Sequence, residues 1–251
     1  KENFKSLTKL IHFLELDPLK RSKIAQKTTF PINVPRRLAN KIAKNSLTDP
    51  ILLQFLPFAE ENDLTEGFCK DPVSDTLFQK SARLLHKYPG RALLLCTSAC
   101  AMHCRFCFRQ NYPYEKTKSL FTNELNAIAN DSSIYEIILS GGDPLSLSDH
   151  ALSSLIKSLE AISHLKLLRF HTRFPIGIPE RVTKTFLSIL KKTRLQTVFV
   201  VHINHVKELD SDIIAALKKI RELGIPVLSQ TVLLKKINDT AESLSKLFLT
   251  L

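Results

Sequence analysis

Residues 91–107 read Arg91-Ala-Leu-Leu-Leu-Cys-Thr97-Ser-Ala-Cys100-Ala-Met-His-Cys104-Arg-Phe-Cys107. The first seven residues form an apolar run of strand length, and the loop after it carries cysteines spaced C-x3-C-x2-C. Three thiolates on one short loop can bind a metal centre. They leave a cubane iron–sulfur cluster one ligand short of its usual four, and an open iron is a place for chemistry. Two other readings stand beside this one: a structural zinc site with His103 as fourth ligand, and a group of inert buried thiols. His103 directly precedes Cys104, and adjacent residues rarely converge on one tetrahedral ion. Four of the five cysteines lie between positions 96 and 107, with Cys69 apart. A disulfide framework needs cysteines spread along the chain, so the clustering points to metal or redox chemistry.

Toward the C-terminus, short β-branched or Leu-rich runs alternate with longer amphipathic segments. The pattern predicts five strands at 91–97, 135–140, 166–172, 197–203 and 226–234, each followed by a helix, at 122–130, 149–162, 179–192, 211–223 and 240–251. A period of roughly 30 residues suits βαβ units. Pro179 fits a first helical turn, and Gly224 two residues before Pro226 is a helix stop. Near-continuous apolar strands such as 197–201 suit a parallel sheet covered on both faces. Right-handed connections curl such units into a complete or partial barrel, with an open doubly wound sheet as the alternative. Ser140-Gly141-Gly142-Asp143, His171-Thr172-Arg173, His202 with Asn204 and His205, and Ser229-Gln230 all fall at or near strand C-termini. In a (β/α) barrel those positions share the rim where active sites lie. With only six glycines in 251 residues, the adjacent pair Gly141-Gly142 has a local reason.

Residues 1–90 read as a helical N-terminal extension, with fragments at 6–16 and 35–44 broken by Pro18, Pro31, Pro50, Pro57 and Pro72; residues 91–251 read as the barrel. A chain 44% apolar and 24% charged is neither disordered nor collagenous. No apolar stretch approaches the roughly 18 residues of a membrane span. The opening Lys1-Glu2-Asn3-Phe4-Lys5 lacks an initiator Met and the apolar core of a secretory signal, which predicts a start inside a longer reading frame and a cytoplasmic address. The net charge of +12 favours anionic partners. Its positive residues are scattered, as in Lys20-Arg21, Arg36-Arg37, Lys191-Lys192 and Lys218-Lys219, and a solvated helix surface is the simpler reading than a nucleic-acid interface.

The cysteine triad after the first strand, Phe106 before the last cysteine, the Gly-Gly motif and the serial βα units resemble the radical S-adenosylmethionine (SAM) enzymes. A closer resemblance covers nearly the whole chain. It is similar to the lysine 2,3-aminomutase family, above all to the branch that makes (R)-β-lysine for elongation factor P. The matching stretches are Asp49-Pro50-Ile51-Leu52 with Gln54, Leu56-Pro57, Gly67-Phe68, Asp71-Pro72 and the run Leu84-Leu85-His86-Lys87-Tyr88-Pro89-Gly90-Arg91. They continue through Cys107-Phe108-Arg109, Tyr112-Pro113-Tyr114, Ser140-Gly141-Gly142-Asp143-Pro144-Leu145, His171-Thr172-Arg173 and His202-Ile203-Asn204-His205. Gly224-Ile225-Pro226 and Leu233-Leu234-Lys235-Lys236-Ile237-Asn238-Asp239 complete them.

The resemblance implies a partial (β/α)6 TIM-like radical SAM barrel and an isomerase moving the amino group of L-lysine from the α to the β carbon. It implies a [4Fe–4S] cluster on Cys100, Cys104 and Cys107, with SAM on the fourth iron as the source of a 5′-deoxyadenosyl radical. Gly141 and Gly142 would admit the amino end of SAM, with Ser140 and Asp143 in the same loop, Arg173 toward its carboxylate and His202 on its adenine. Arg109 matches the clamp for the substrate carboxylate, a task suited to a planar guanidinium. Pyridoxal phosphate (PLP) is the further cofactor implied, with Lys87 at its phosphate, Tyr88 beside it and Gln230 as another contact. Lys87, in place of Arg, keeps the charge without the fork. The partners implied are L-lysine, an electron donor such as flavodoxin or ferredoxin, and, as an open option, a second copy of the chain. The family pattern continues past Leu251 into a sixth strand and a segment with the PLP-anchoring Lys and the Asp residues for the substrate ε-amine, so no Lys here takes that part. Gln110-Asn111 departs from the basic residues many relatives carry after Arg109. A radical SAM enzyme without PLP or a degenerate family member, and after these a basic nucleic-acid-binding protein with structural zinc, are the alternatives.

Overall fold

In the computed structural model, which describes residues 3–26, 28, 30–63, 66–114 and 121–251, the chain opens on β1 (Asn3–Phe4), α1 (Leu7–Phe13) and α2 (Pro18–Arg21). It then returns through β2 (Val34–Pro35) to α3 (Arg36–Asn40). β1 and β2 pair antiparallel. Ser6 and Asp17 cap the first two helices by accepting from the Lys9 and Lys20 amides. Both long predicted fragments come out shorter: Glu15 takes left-handed backbone angles just beyond α1, and α3 ends at Asn40, where the Lys41 and Ile42 amides tighten onto Leu38 O and Ala39 O. Ile51, Leu52, Phe55 and Leu56 drop from a short 3-10 turn into the same apolar cluster as the strands, so the extension and the βα units share one core.

That core is built on one seven-stranded sheet in chain order: β3 (Gln79–Ser81), β4 (Leu84–Tyr88), β5 (Arg91–Thr97), β6 (Glu136–Gly141), β7 (Leu167–Thr172), β8 (Gln196–His202) and β9 (Val227–Gln230). The first three strands pair antiparallel, and β5 through β9 pair parallel. The helices that follow the parallel strands are α4 (Thr122–Ala129), α5 (Asp149–Glu160), α6 (Phe174–Gly177), α7 (Lys184–Lys192), α8 (Ser211–Arg221) and α9 (Ala241–Thr250). Serial βα units in this order make the mixed α/β fold of a partial barrel. Among the described residues no pairing joins β9 back to β3.

Three elements differ from expectation. Residues 79–88 belong to the sheet, not to a helical extension: Pro89-Gly90 turns β4 back onto β5, and Leu84 and Leu85 are buried by that pairing. The helix expected from Pro179 to Lys192 is interrupted. Pro179 opens only a 3-10 turn, Pro179–Arg181, Val182 then leaves helical geometry, and α7 starts on a Thr183 cap that accepts from Phe186 N. β9 ends at Gln230 because side chains take over its backbone partners: Asn204 Oδ1 accepts from Val232 N and Asn238 Oδ1 from Leu234 N.

Register sorts the strands into two faces. Leu94, Leu139, Phe170 and Phe199 lie side by side with almost no exposure. Phe170 stacks on Phe199 at 4.7 Å, and Phe186 of α7 meets both edge-on. The opposite face carries Leu95 beside Ser140, His171 beside Val200 and His202 beside Gln230. Burial of the aromatic face drives the fold, which leaves the polar face available for a site. Among the described residues no helix is long and apolar enough to cross a membrane.

Candidate functional site

The cysteine loop leaves β5 and is pinned from two sides. At its foot, Gly142 N donates to Thr97 O at 2.6 Å and Asp143 N to Ala99 O at 2.8 Å. A Cβ on Gly142 would sit 2.3 Å from Ala99 O, and one on Gly141, whose φ is +118°, 2.5 Å from Thr97 O. The glycine pair is therefore required by the foot of the loop, a reason its expected role toward SAM did not reveal. From the other side the N-terminal extension grips the loop backbone: Asn33 Nδ2 donates to Cys100 O at 3.1 Å and Asn3 Nδ2 to Ala101 O at 2.7 Å. His103 N and Arg105 N donate to Asn33 O and Gln54 O.

His103 turns away to Phe30, on which its ring stacks at 4.7 Å, and to Pro31 O, 2.8 Å from Nδ1. Among the described residues no three His, Cys, Asp or Glu side chains converge on one ion. A single tetrahedral zinc with His103 therefore has no frame here. A cubane does not need that convergence, because each thiolate takes its own iron. Burial pushes all three thiols up, with the Arg173 charge opposing it at Cys104. Coordination to a metal deprotonates such thiols outright, and three free thiols on one anchored loop fit a cluster.

Asp143 ties this loop to the next strand end. It is buried, accepts from Leu145 N, Thr172 Oγ1 and Arg173 N at 2.7–3.0 Å, and burial raises its pKa to about 6 against the pull of those bonds. The Arg173 side chain donates to Cys104 Sγ at 2.8 Å, Gln54 Oε1 at 2.6 Å and Glu208 Oε2 at 2.8 Å. Its Nε has no hydrogen-bond partner among the described residues.

On the polar face, Arg109 Nε donates to Asp75 Oδ2 at 2.8 Å and Nη1 to Ser140 Oγ at 3.3 Å. Asp75 is presented by a 3-10 turn whose first amides bond to Asp71. The rings of His171 and His202 meet edge to face at 5.8 Å. Burial first, then the Arg169 and Arg109 charges, lower the His171 pKa to about 4; burial, His171, Arg173 and Arg109 lower that of His202 to about 3. Both are neutral at pH 7. Their Nε2 atoms, with Tyr112 Oη, Arg169 Nε and Arg173 Nε, are buried without hydrogen-bond partners among the described residues. Such atoms are normally satisfied, so they mark where a polar ligand fits.

The structure thus brings together Cys104 with Arg173, Arg109 with Ser140, Asp143 with Arg173, and His202 with Gln230 by strand register. The residues expected at PLP are more scattered. Lys87 Nζ donates to Val73 O at 2.6 Å beside the Phe78 ring, Tyr88 is 59% exposed, and Gln230 ends β9, remote from β4 in strand order. Sequence reasoning missed Asp75, Glu208 and the two gripping asparagines; Gln54 entered only as part of a motif. Asp75, four residues after Asp71, had a capping signal, whereas Glu208 had none.

Residues 94–248 match the Radical SAM superfamily. The chain is 42% identical over 234 residues to the L-lysine 2,3-aminomutase of Haemophilus influenzae, covering 90% of this chain and 69% of that protein. It is 38% identical over 248 residues to the L-lysine 2,3-aminomutase of Buchnera aphidicola, covering 98% and 70%. Against the L-lysine 2,3-aminomutase of Escherichia coli the identity is 40% over 226 residues, covering 88% and 65%.

Proposed function

The chain belongs to the radical SAM superfamily and, within it, to the L-lysine 2,3-aminomutase family, and from that premise we propose that it is an isomerase converting L-α-lysine to β-lysine. The observation that carries this reading is one rim holding both the anchored cysteine loop and Arg109, two residues beyond Cys107, turned in to Ser140. When bound, the cluster supplies the electron for reductive cleavage of SAM, and PLP supplies a conjugated sink for the migrating amine.

The residues divide the work. Cys100, Cys104 and Cys107 would hold three irons of the cluster. The Gly141-Gly142 backbone and Ser140 would line the approach for SAM, Asp143 keeps that loop against β7, Arg173 would offer its spare Nε to an anionic group, and neutral His202 would pack on the adenine. Arg109, steadied at Nε by Asp75, keeps Nη2 and one Nη1 proton for the carboxylate of lysine. Lys87 and Tyr88 on β4 and Gln230 on β9 are the residues that would meet PLP, with the Lys87 ammonium, now on Val73 O, as the charge for its phosphate. A flavodoxin or ferredoxin would be the electron donor to the cluster, the cytoplasm the setting, and elongation factor P the destination of β-lysine.

Anaerobic reconstitution followed by assays of SAM cleavage and β-lysine formation tests this. The expected result is cleavage by the wild type and none by Cys104→Ala; undiminished cleavage by that variant would overturn the cluster assignment. The contact of Lys87 with Val73 O and the exposure of Tyr88 favour a second reading, a radical SAM enzyme without PLP. SAM cleavage with no PLP binding would decide for it.

A further inference from the structure

We propose that Glu208, acting through Arg173, sets the reduction potential of the cluster, with Gln54 as a second positioning residue for the guanidinium that donates to Cys104 Sγ. The inference rests on the cluster assignment made above.

Arg173 Nη1 lies 2.8 Å from Cys104 Sγ, in a pocket from which water is excluded: Arg173 is 6% exposed, and Glu208 and Gln54 are 0% exposed. Nη2 is shared between Glu208 Oε2 and Gln54 Oε1. The other carboxylate oxygen, Glu208 Oε1, accepts from Gln54 Nε2 at 3.0 Å, Asn204 N at 3.1 Å and His205 N at 3.0 Å. Asn204 Nδ2 closes the network on Gln54 Oε1 at 2.9 Å. The Phe55 and Phe106 rings flank the guanidinium at 5.2 and 5.5 Å, and its backbone amide is tied to Asp143. The guanidinium has no alternative pose in this frame. Glu208 is satisfied by four donors, an arrangement that makes a buried carboxylate a rigid anchor instead of a liability.

The three cysteines are not treated alike. Among the described residues Cys104 Sγ alone of the three receives a side-chain donor, and that donor is charged. Hydrogen bonds to cluster sulfurs and nearby positive charge favour the reduced cluster, which carries one more electron. Glu208 meets the guanidinium at Nη2 and not at the sulfur-facing Nη1, so the positive end of the pair is turned on the cluster. The network therefore sets how strong a reductant the cluster requires. It also explains why Gln54, in the N-terminal extension, and Glu208, after β8, meet at a strand end of β7.

The test is an EPR-monitored redox titration of the reconstituted holoprotein without SAM. Arg173→Met removes charge and donor, and its midpoint should fall by at least a tenfold change in the one-electron equilibrium, 59 mV. Glu208→Gln keeps shape and removes the counter-charge, and its midpoint should rise. Iron content is measured on every sample. Iron-loaded variants whose midpoints match the wild type would overturn the proposal, as would a fall in both, which signals loosened structure. If Arg173→Met does not take up iron, the direction for Glu208→Gln decides alone. Wild-type protein that binds no iron would sink the cluster assignment itself, a different failure.

Discussion

Arg109 and Asp75 form a nearly buried pair, Nε to Oδ2 at 2.8 Å, each side chain about one-tenth exposed. Asp75 occupies the Nε edge of the guanidinium and leaves the Nη edge toward Ser140 and the polar face. On the proposed function its task is to orient the clamp before lysine arrives. Asp75→Asn should raise KM for L-lysine on the order of tenfold, about 1.4 kcal/mol, with a smaller effect on kcat, and Asp75→Glu should recover part of the loss. Steady-state kinetics checks this, and an unchanged KM would remove Asp75 from the site.

The Gly142 contact is with backbone, which cannot swing aside. Gly142→Ala should destabilise the chain by roughly 1–3 kcal/mol and displace the cysteine loop, so that thermal melting and iron uptake fall together. Normal iron uptake by a stable variant would show that the loop foot tolerates the displacement.

His171 and His202 give a pH dependence with a definite sign. Their folded pKa values, about 4 and about 3, lie below that of an unfolded histidine near 6.5. Below pH 6.5 the unfolded chain therefore binds more protons, and stability present above that pH is lost as pH falls toward 4 and then 3. The slope is at most about 1.4 kcal/mol per pH unit for each group, less for the solvent that reaches them. Denaturant titrations of metal-free protein at pH 7 and pH 5 should show this loss, and the His171→Gln, His202→Gln double variant should flatten it.

Phe199 belongs to the other face, stacked on Phe170 and fully buried. Phe199→Ala should cost about 3–5 kcal/mol. Chemical denaturation measures it, and a cost under 1 kcal/mol would contradict the assignment of this face as the stabilising one.

Much of the architecture was legible because local chemistry carried it. β5 runs over the predicted residues 91–97, and α5 and α8 start at the predicted residues behind the caps Ser148 and Asp210. β4 escaped because a short strand in a Pro-rich region is recognisable only by the partner it folds back on. The break between α6 and α7 escaped because a Pro reads locally as a helix start, whichever turn it begins.

The site divides in the same way. C-x3-C-x2-C and the Gly-Gly pair stood out in sequence because metal ligation and close backbone approach each demand particular residue types at short spacing, whereas Arg109 entered through the family resemblance. The partners that make them work lie far off in the chain: Asp75 is 34 residues from Arg109, and Gln54 is 119 from Arg173. Spacing of that order carries no local signal. Burial decides it, since a guanidinium or carboxylate removed from water must find its counterpart wherever the fold brings one. The sequence by itself determined the family, the serial βα order and the cysteine loop; only the tertiary structure decided which groups hold that loop, because Asn3, Asn33 and Gln54 of the N-terminal extension and Glu208 after β8 come to it only once the chain has packed.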